Sequence, residues 1–281
     1  ALKRQQYPET PLEKTSAILE AEELLQGALE RLPQARESVL EREDKEERDR
    51  EYLYLNQLEV ELRVQLVDVQ LSLLESEKIK QEKVAATLAS IKSLTKELDD
   101  LTRNEGLILY LNARRQYIAM LPETSLEKSS ATDSDASWGS LISRLRRARL
   151  LLAEETVYRR KIDLMLARCY QEIDNPDGVL AVFQDAYRDD LNWRIGRWEL
   201  ARALERAGRS EQSFQMHRSL LNEFGLQASL VSMVEMRIRQ ELSRPEDQRD
   251  WSPLRDQIDQ LLEQDPANIE MAILDTEIKT Q

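Results

Sequence analysis

Glycine and proline are scarce in this chain, with seven and eight among 281 residues, and between Ala28 and Gly106 neither occurs except Pro33. So long a stretch without turn-forming residues argues for helices and against an all-β fold. Aromatic residues make up only 5% while charged residues reach 33%, the balance expected of helices with broad solvated faces. Cysteine is limited to Cys169, so no internal disulfide can form. The compartment stays open, because proteins of both reducing and oxidising compartments often lack disulfides. Histidine is limited to His217. One histidine and one cysteine assemble no His-based metal cluster and no Cys-His or Ser-His-Asp site without a second chain. No Gly-rich phosphate loop occurs. No apolar run approaches the roughly 18 residues that a spanning helix needs. The formal charge of −13 repels phosphate backbones at long range, so nucleic-acid binding is not expected without a strong local basic patch.

What the chain has in quantity is helical periodicity. Ala17, Ile18, Ala21, Leu24, Leu25, Ala28 and Leu29 fall on one stripe and predict a helix over Leu12 to Leu32, with Pro33 as a break or the start of the next helix. Glu41 to Arg50 carries opposite charges at helical spacing and is expected as a solvated helix leading into Tyr52 to Leu74. Leu58, Val60, Leu62, Val64 and Leu66 alternate with polar residues as a strand edge would. No partner hairpin signal follows, so a helix buried on two faces is the favoured reading. Val84, Leu88, Ile91, Leu94 and Leu98 predict a helix over Lys80 to Leu101, and another covers Gly106 to Leu121. These elements read either as divergent repeats or as a long antiparallel coiled-coil hairpin over 34–101, which would drive self-association. Pro122 to Ser137 is the best loop or linker, with a phosphorylation site or a hinge as the alternatives to an exposed connection. Trp138 to Ala153 then resumes as an amphipathic helix bearing Arg144, Arg146, Arg147 and Arg149.

From 160 to 220 a pattern repeats after 34 positions. Leu166, Ala167 and Tyr170 precede a turn at Asp174-Asn175-Pro176, then come Val179, Phe183 and Ala186; 34 residues on stand Leu200, Ala201 and Leu204, Gly208 at the turn, then Ser213, His217 and Leu220. Small residues at 167, 179, 201 and 213 allow two antiparallel helices to approach closely, and the bulky ones fill the remaining volume. A lone hairpin cannot bury both faces, so hairpins stack. This spacing resembles the tetratricopeptide repeat. The likeness continues through Val234 and Ile238, with Glu235 where a small residue belongs. It passes over a polar turn from Ser243 to Asp250 about seven residues longer than the period. It resumes in Leu254, Ile258, Leu261 and Pro266, with Asp265-Pro266-Ala267-Asn268 as a junction and Ile269 to Lys279 as a first helix without its second. A stop in mid-repeat, and a start at Ala1 without Met, are expected of a piece of a longer protein.

The resemblance implies an all-α right-handed superhelix of hairpins and a non-catalytic role in binding protein partners. The expected organisation is a tail over 1–11, divergent hairpins over 12–121, a polar loop or linker over 122–137 and repeats over 138–281. The family's concave groove maps onto Lys161, Leu164, Arg168, Gln171 and Glu172, then Ile195, Trp198, Arg202, Glu205 and Arg206. Arg168 and Arg202, one repeat apart, suit an acidic segment, while Trp198, Ile195 and Leu164 suit a partner helix. The Lys and Asn set with which the family's chaperone-binding members clamp a C-terminal carboxylate is missing. His217 and Cys169 are expected as packing residues, and no cofactor is expected.

Overall fold

A computed structural model describes residues 11–75, 81–120, 137–264 and 269–279. All but the last residue of the expected tail at 1–11, all but the last residue of the expected loop at 122–137, and the 265–268 junction lie outside them. Every regular element among the described residues is helical: α1 (Pro11–Leu40), α2 (Lys45–Glu75), α3 (Gln81–Leu101), α4 (Glu105–Met120), α5 (Trp138–Leu151), α6 (Thr156–Glu172), α7 (Pro176–Asp189), α8 (Arg194–Arg206), α9 (Ser210–Phe224), α10 (Gln227–Leu242), α11 (Ser252–Gln264) and α12 (Ile269–Lys279), with a 3₁₀ turn at Glu246–Gln248. The fold is all-α. Leu58 to Leu66 belong to α2, so the alternation there is helical after all. The chain divides into two compact units, 1–165 and 166–281, and the division falls inside α6.

In the first unit α1 and α2 form a long hairpin, α2 packs on α3 and α4, α3 packs on α4, and α4 packs on α5. Pro33 does not end its helix, because α1 runs through it to Leu40. The ring removes one helical N–H bond, a cost of about 3 kcal/mol in an isolated helix. Packing against α2 offsets it: Leu32 and Val39 are buried on either side of the proline, and Arg36 bonds Glu59 and the Asn56 side chain. The charged run expected as one solvated helix is instead interrupted at 41–44. Asp44 accepts hydrogen bonds from the backbone N–H groups of Glu46 and Glu47 at 2.8 and 3.1 Å, so a side chain with N-cap preference starts α2. Asn104 and Ser137 cap α4 and α5 in the same way. The core is built from Val67, Leu71, Ile91, Leu98, Tyr110, Leu111 and Ile118, with Leu141 and Leu145 of α5.

In the second unit α8 packs between α7 and α9, α9 on α10, and α10 against α11 and α12. All twelve side chains of the 34-residue pattern, from Leu166 to Leu220, are buried. Two of the small ones, Ala201 and Ser213, sit where backbones converge. The Ser213 hydroxyl of α9 donates to the Ala201 carbonyl of α8 at 2.8 Å, a contact that a larger side chain would prevent. A Cβ on Gly178 would lie 2.4 Å from the Tyr170 ring, so glycine is what lets α7 begin against α6. Asn175 caps α7 by accepting from the Gly178 N–H at 2.8 Å, with Pro176 at the first turn, where its missing N–H costs nothing. Glycine also closes α9, where Gly225 adopts the left-handed conformation at φ 62°. Glu235 turns to solvent while Val234 and Ile238 stay buried, so in α10 the apolar positions persist and the small-residue position does not. Leu230, Val234, Ile238, Leu254, Ile258, Leu274 and Ile278 form one cluster joining α10, α11 and α12.

Candidate interaction surface

Two helices carry the residues expected to line a groove. On α8, Ile195, Trp198, Arg202 and Arg206 recur every three or four positions and share one face. Its entry is fixed by Trp193, buried against Gly196 so closely that a Cβ there would lie 2.2 Å from the indole. Ile195 is 51% exposed, and Arg202 and Arg206 are exposed. Arg202 is held only loosely by Glu199, at 3.5 Å. Trp198 is half-buried, with its ring edge-on to His217 at 5.0 Å, so part of the indole serves the core and part faces outward. Glu205 lies on the same side and pairs with Arg239 of α10 at 2.5 Å.

On α6 the expected residues fall on either side of the unit division. Lys161 and Leu164 belong to the first unit, where the Lys161 ammonium is bonded to Asp68 of α2 and Leu164 is half-buried. Arg168 and Gln171 belong to the second and are both exposed.

Beneath the α8 face sits His217, fully buried. Its Nδ1 is 3.4 Å from the Ser229 hydroxyl, and its Nε2 has no hydrogen-bond partner among the described residues. Burial, helped by the positive charge of Arg202, pushes its pKa down to about 4, so the ring is neutral near pH 7. Cys169 is likewise buried, and desolvation pushes its thiol up to about 12, with Glu172 adding to the shift. Neither group offers a nucleophile or a proton donor to a ligand. Among the described residues no cluster of His, Cys, Asp or Glu could hold a metal ion, and no helix is long and apolar enough to cross a membrane.

Sequence reasoning did not reveal the charge networks that hold these helices. Arg197, next to Trp198 on α8, is buried and grips Glu223 of α9 through both terminal nitrogens, at 2.6 and 3.0 Å. The same guanidinium bonds Ser219, donates to the Leu191 carbonyl at 3.3 Å and stacks over Phe224 at 5.1 Å. The fork suits a carboxylate bidentately, and the ring contact covers its face. The Arg197 and Ser219 hydrogen bonds hold the Glu223 carboxyl down at about 2. In the first unit Asp68 accepts from both Arg114 and Lys161. The arginines of α5 are also engaged: Arg144 bonds Gln116 at 2.9 Å, Arg147 bonds Glu105, and Arg149 bonds Asp163 at 2.5 Å.

Comparison with known protein families, with curated proteins and with solved structures finds no match.

Proposed function

We propose that this chain is a non-catalytic protein–protein interaction scaffold, whose second unit is a tetratricopeptide-like stack of the hairpins α6–α7, α8–α9 and α10–α11, opening into α12. A partner peptide or helix lies along the first helices of these hairpins, contacting Arg168 and Gln171 of α6 and Ile195, Trp198, Arg202 and Arg206 of α8. The single observation that carries this reading is the α8 face, where an isoleucine, the outward part of an indole and two arginines with no strong partner among the described residues stand together above the buried His217. Aromatic, aliphatic and Arg side chains of this kind anchor interfaces. The burial of all twelve pattern residues supports the repeat register.

The test is retention of a native partner from the source extract by the chain, followed by titration of that purified partner against Arg168→Glu/Arg202→Glu and, separately, Ile195→Asp. Arg202 and Ile195 make little or no packing contribution, so both variants should melt like the parent while binding at least about tenfold more weakly. Equal affinity in all three proteins would remove the groove assignment.

One observation favours a second reading. Leu40, Tyr52, Leu53 and Tyr54 are all exposed near the junction of α1 and α2. Apolar side chains grouped at a hairpin end suit self-association through 34–101. Light scattering separates the two readings, since a dimer that becomes monomeric on Leu53→Lys/Tyr54→Lys would favour assembly.

A further inference from the structure

On the first unit, away from every residue discussed above as part of a groove, α3 and α4 frame an open cleft of about 550 Å³. Lys92 and Lys96, one turn apart on α3, and Arg115 on α4 line it, together with Asn112 and with Ala89 and Ile108 as apolar walls. None of the three cations pairs with a carboxylate among the described residues. The nearby Glu97 is already taken, bonding Arg63 of α2 and accepting from the Ser93 hydroxyl at 3.2 Å. Among the described residues Asp99 is the one carboxylate lining the cleft. Three positive charges against one negative leave a local excess of two in a chain whose net charge is −13. Moreover, the Nε of Arg115 is buried with no acceptor among the described residues, an arrangement that costs stability unless an acceptor is supplied from elsewhere.

We propose that this cleft binds a phosphate monoester, its phosphoryl oxygens held by Lys92, Lys96 and Arg115 and its organic body resting on Ala89 and Ile108. A phosphate monoester carries a charge of about −1.5 to −2 near neutral pH, which matches the local excess, and offers three terminal oxygens. Three cationic side chains on two helices outnumber the two oxygens of a carboxylate, and Arg presents a planar fork suited to phosphate. The aliphatic stems of the lysines extend the apolar wall. The ester could sit on a small molecule or on a phosphorylated protein segment, and the chemistry recognised is the same.

Calorimetric titration of the intact chain at low salt tests it, with phenyl phosphate, a phosphoserine peptide otherwise of alanine, and phenylacetate as the carboxylate control. Saturable binding of a phosphate probe is expected, with phenylacetate weaker by about tenfold or more. Lys92→Gln/Lys96→Gln changes only exposed side chains, so it should fold like the parent and bind at least about tenfold more weakly. Asp99→Asn removes the repelling charge and should tighten binding. The probe that binds more tightly assigns the source, peptide or small molecule. No saturation with either phosphate at millimolar concentration, unchanged affinity in the double variant, or weaker binding in Asp99→Asn would overturn the proposal. Its failure would leave the α6 and α8 assignment untouched, since none of its residues is shared.

Discussion

His217 makes the stability of the second unit depend on pH in a way that can be isolated. In the unfolded chain its imidazole accepts a proton near its ordinary value of 6.5; in the fold, burial and the charge of Arg202 delay protonation to about 4. Between those values the unfolded chain binds more protons than the folded one, so stability falls as pH drops through the window and levels off below it. A gap of about two and a half pH units corresponds to about 3 kcal/mol at full development. For a unit of this size that lowers the melting temperature by about 10 °C. Because His217 is the only histidine in the chain, its ring proton gives a single resonance whose titration reads the folded value directly. Unfolding by urea, followed by the tryptophans, three of whose four lie in the second unit (Trp193, Trp198 and Trp251), gives the stability at each pH. The reference is His217→Gln, which cannot titrate and keeps an amide opposite the Ser229 hydroxyl. Glu223, held near 2 by Arg197 and Ser219, loses its contribution only as pH falls below about 4.5, so it does not distort the upper part of the window. The parent should lose stability from pH 6.5 towards 4 while the Gln variant stays flatter by most of the 3 kcal/mol or so. An imidazole that titrates near 6.5, or two parallel stability curves, would refute the reasoning.

Three further outcomes are expected. Ala167→Trp forces an indole into a buried small-residue position and should destabilise the second unit by about 1–3 kcal/mol or more in chemical denaturation; an unchanged midpoint would show that the helices do not converge there. Gly178→Ala places a Cβ against the Tyr170 ring and should lower the melting temperature despite alanine's better helix propensity, whereas stabilisation would mean that α6 and α7 are less close. Cys169, with its thiol pushed up to about 12, should resist iodoacetamide at pH 8 in the native chain and react fully in denaturant; rapid native alkylation would place it at the surface.

The sequence made legible what is local and periodic. The 34-residue spacing marked twelve positions, and the structure buries every one, because small and bulky residues at fixed helical intervals encode a close approach that only two packed helices satisfy. The helix boundaries of α3, α4 and α5 were readable within a residue or two for the same reason. Pro33 was misread because its local penalty is outweighed by a neighbour that periodicity cannot show, the α2 helix packed along its flanks. The interruption at 41–44 was missed because alternating charges fit a helix equally well, and only Asp44, with its side chain turned back on the next N–H groups, marks the start of α2.

Charges whose partners are remote in sequence were not legible at all, and they bear most directly on the candidate site. Lys161 occupies a helix position that local register assigns to a groove, yet its ammonium is committed to Asp68, 93 residues earlier. Arg197 is one residue from Trp198, and nothing local marks it apart from its neighbours, yet it is buried and bound to Glu223, 26 positions on. Arg202 and Arg206, of the same residue type on the same helix, remain exposed, and Arg202 has only a weak local pair. Register fixes which face of a helix a side chain shares, whereas its availability to a ligand depends on whether a distant carboxylate has already claimed it. The cations worth testing for ligand binding are therefore those with no remote carboxylate partner among the described residues, Arg168, Arg202 and Arg206 in the second unit and Lys92, Lys96 and Arg115 in the first.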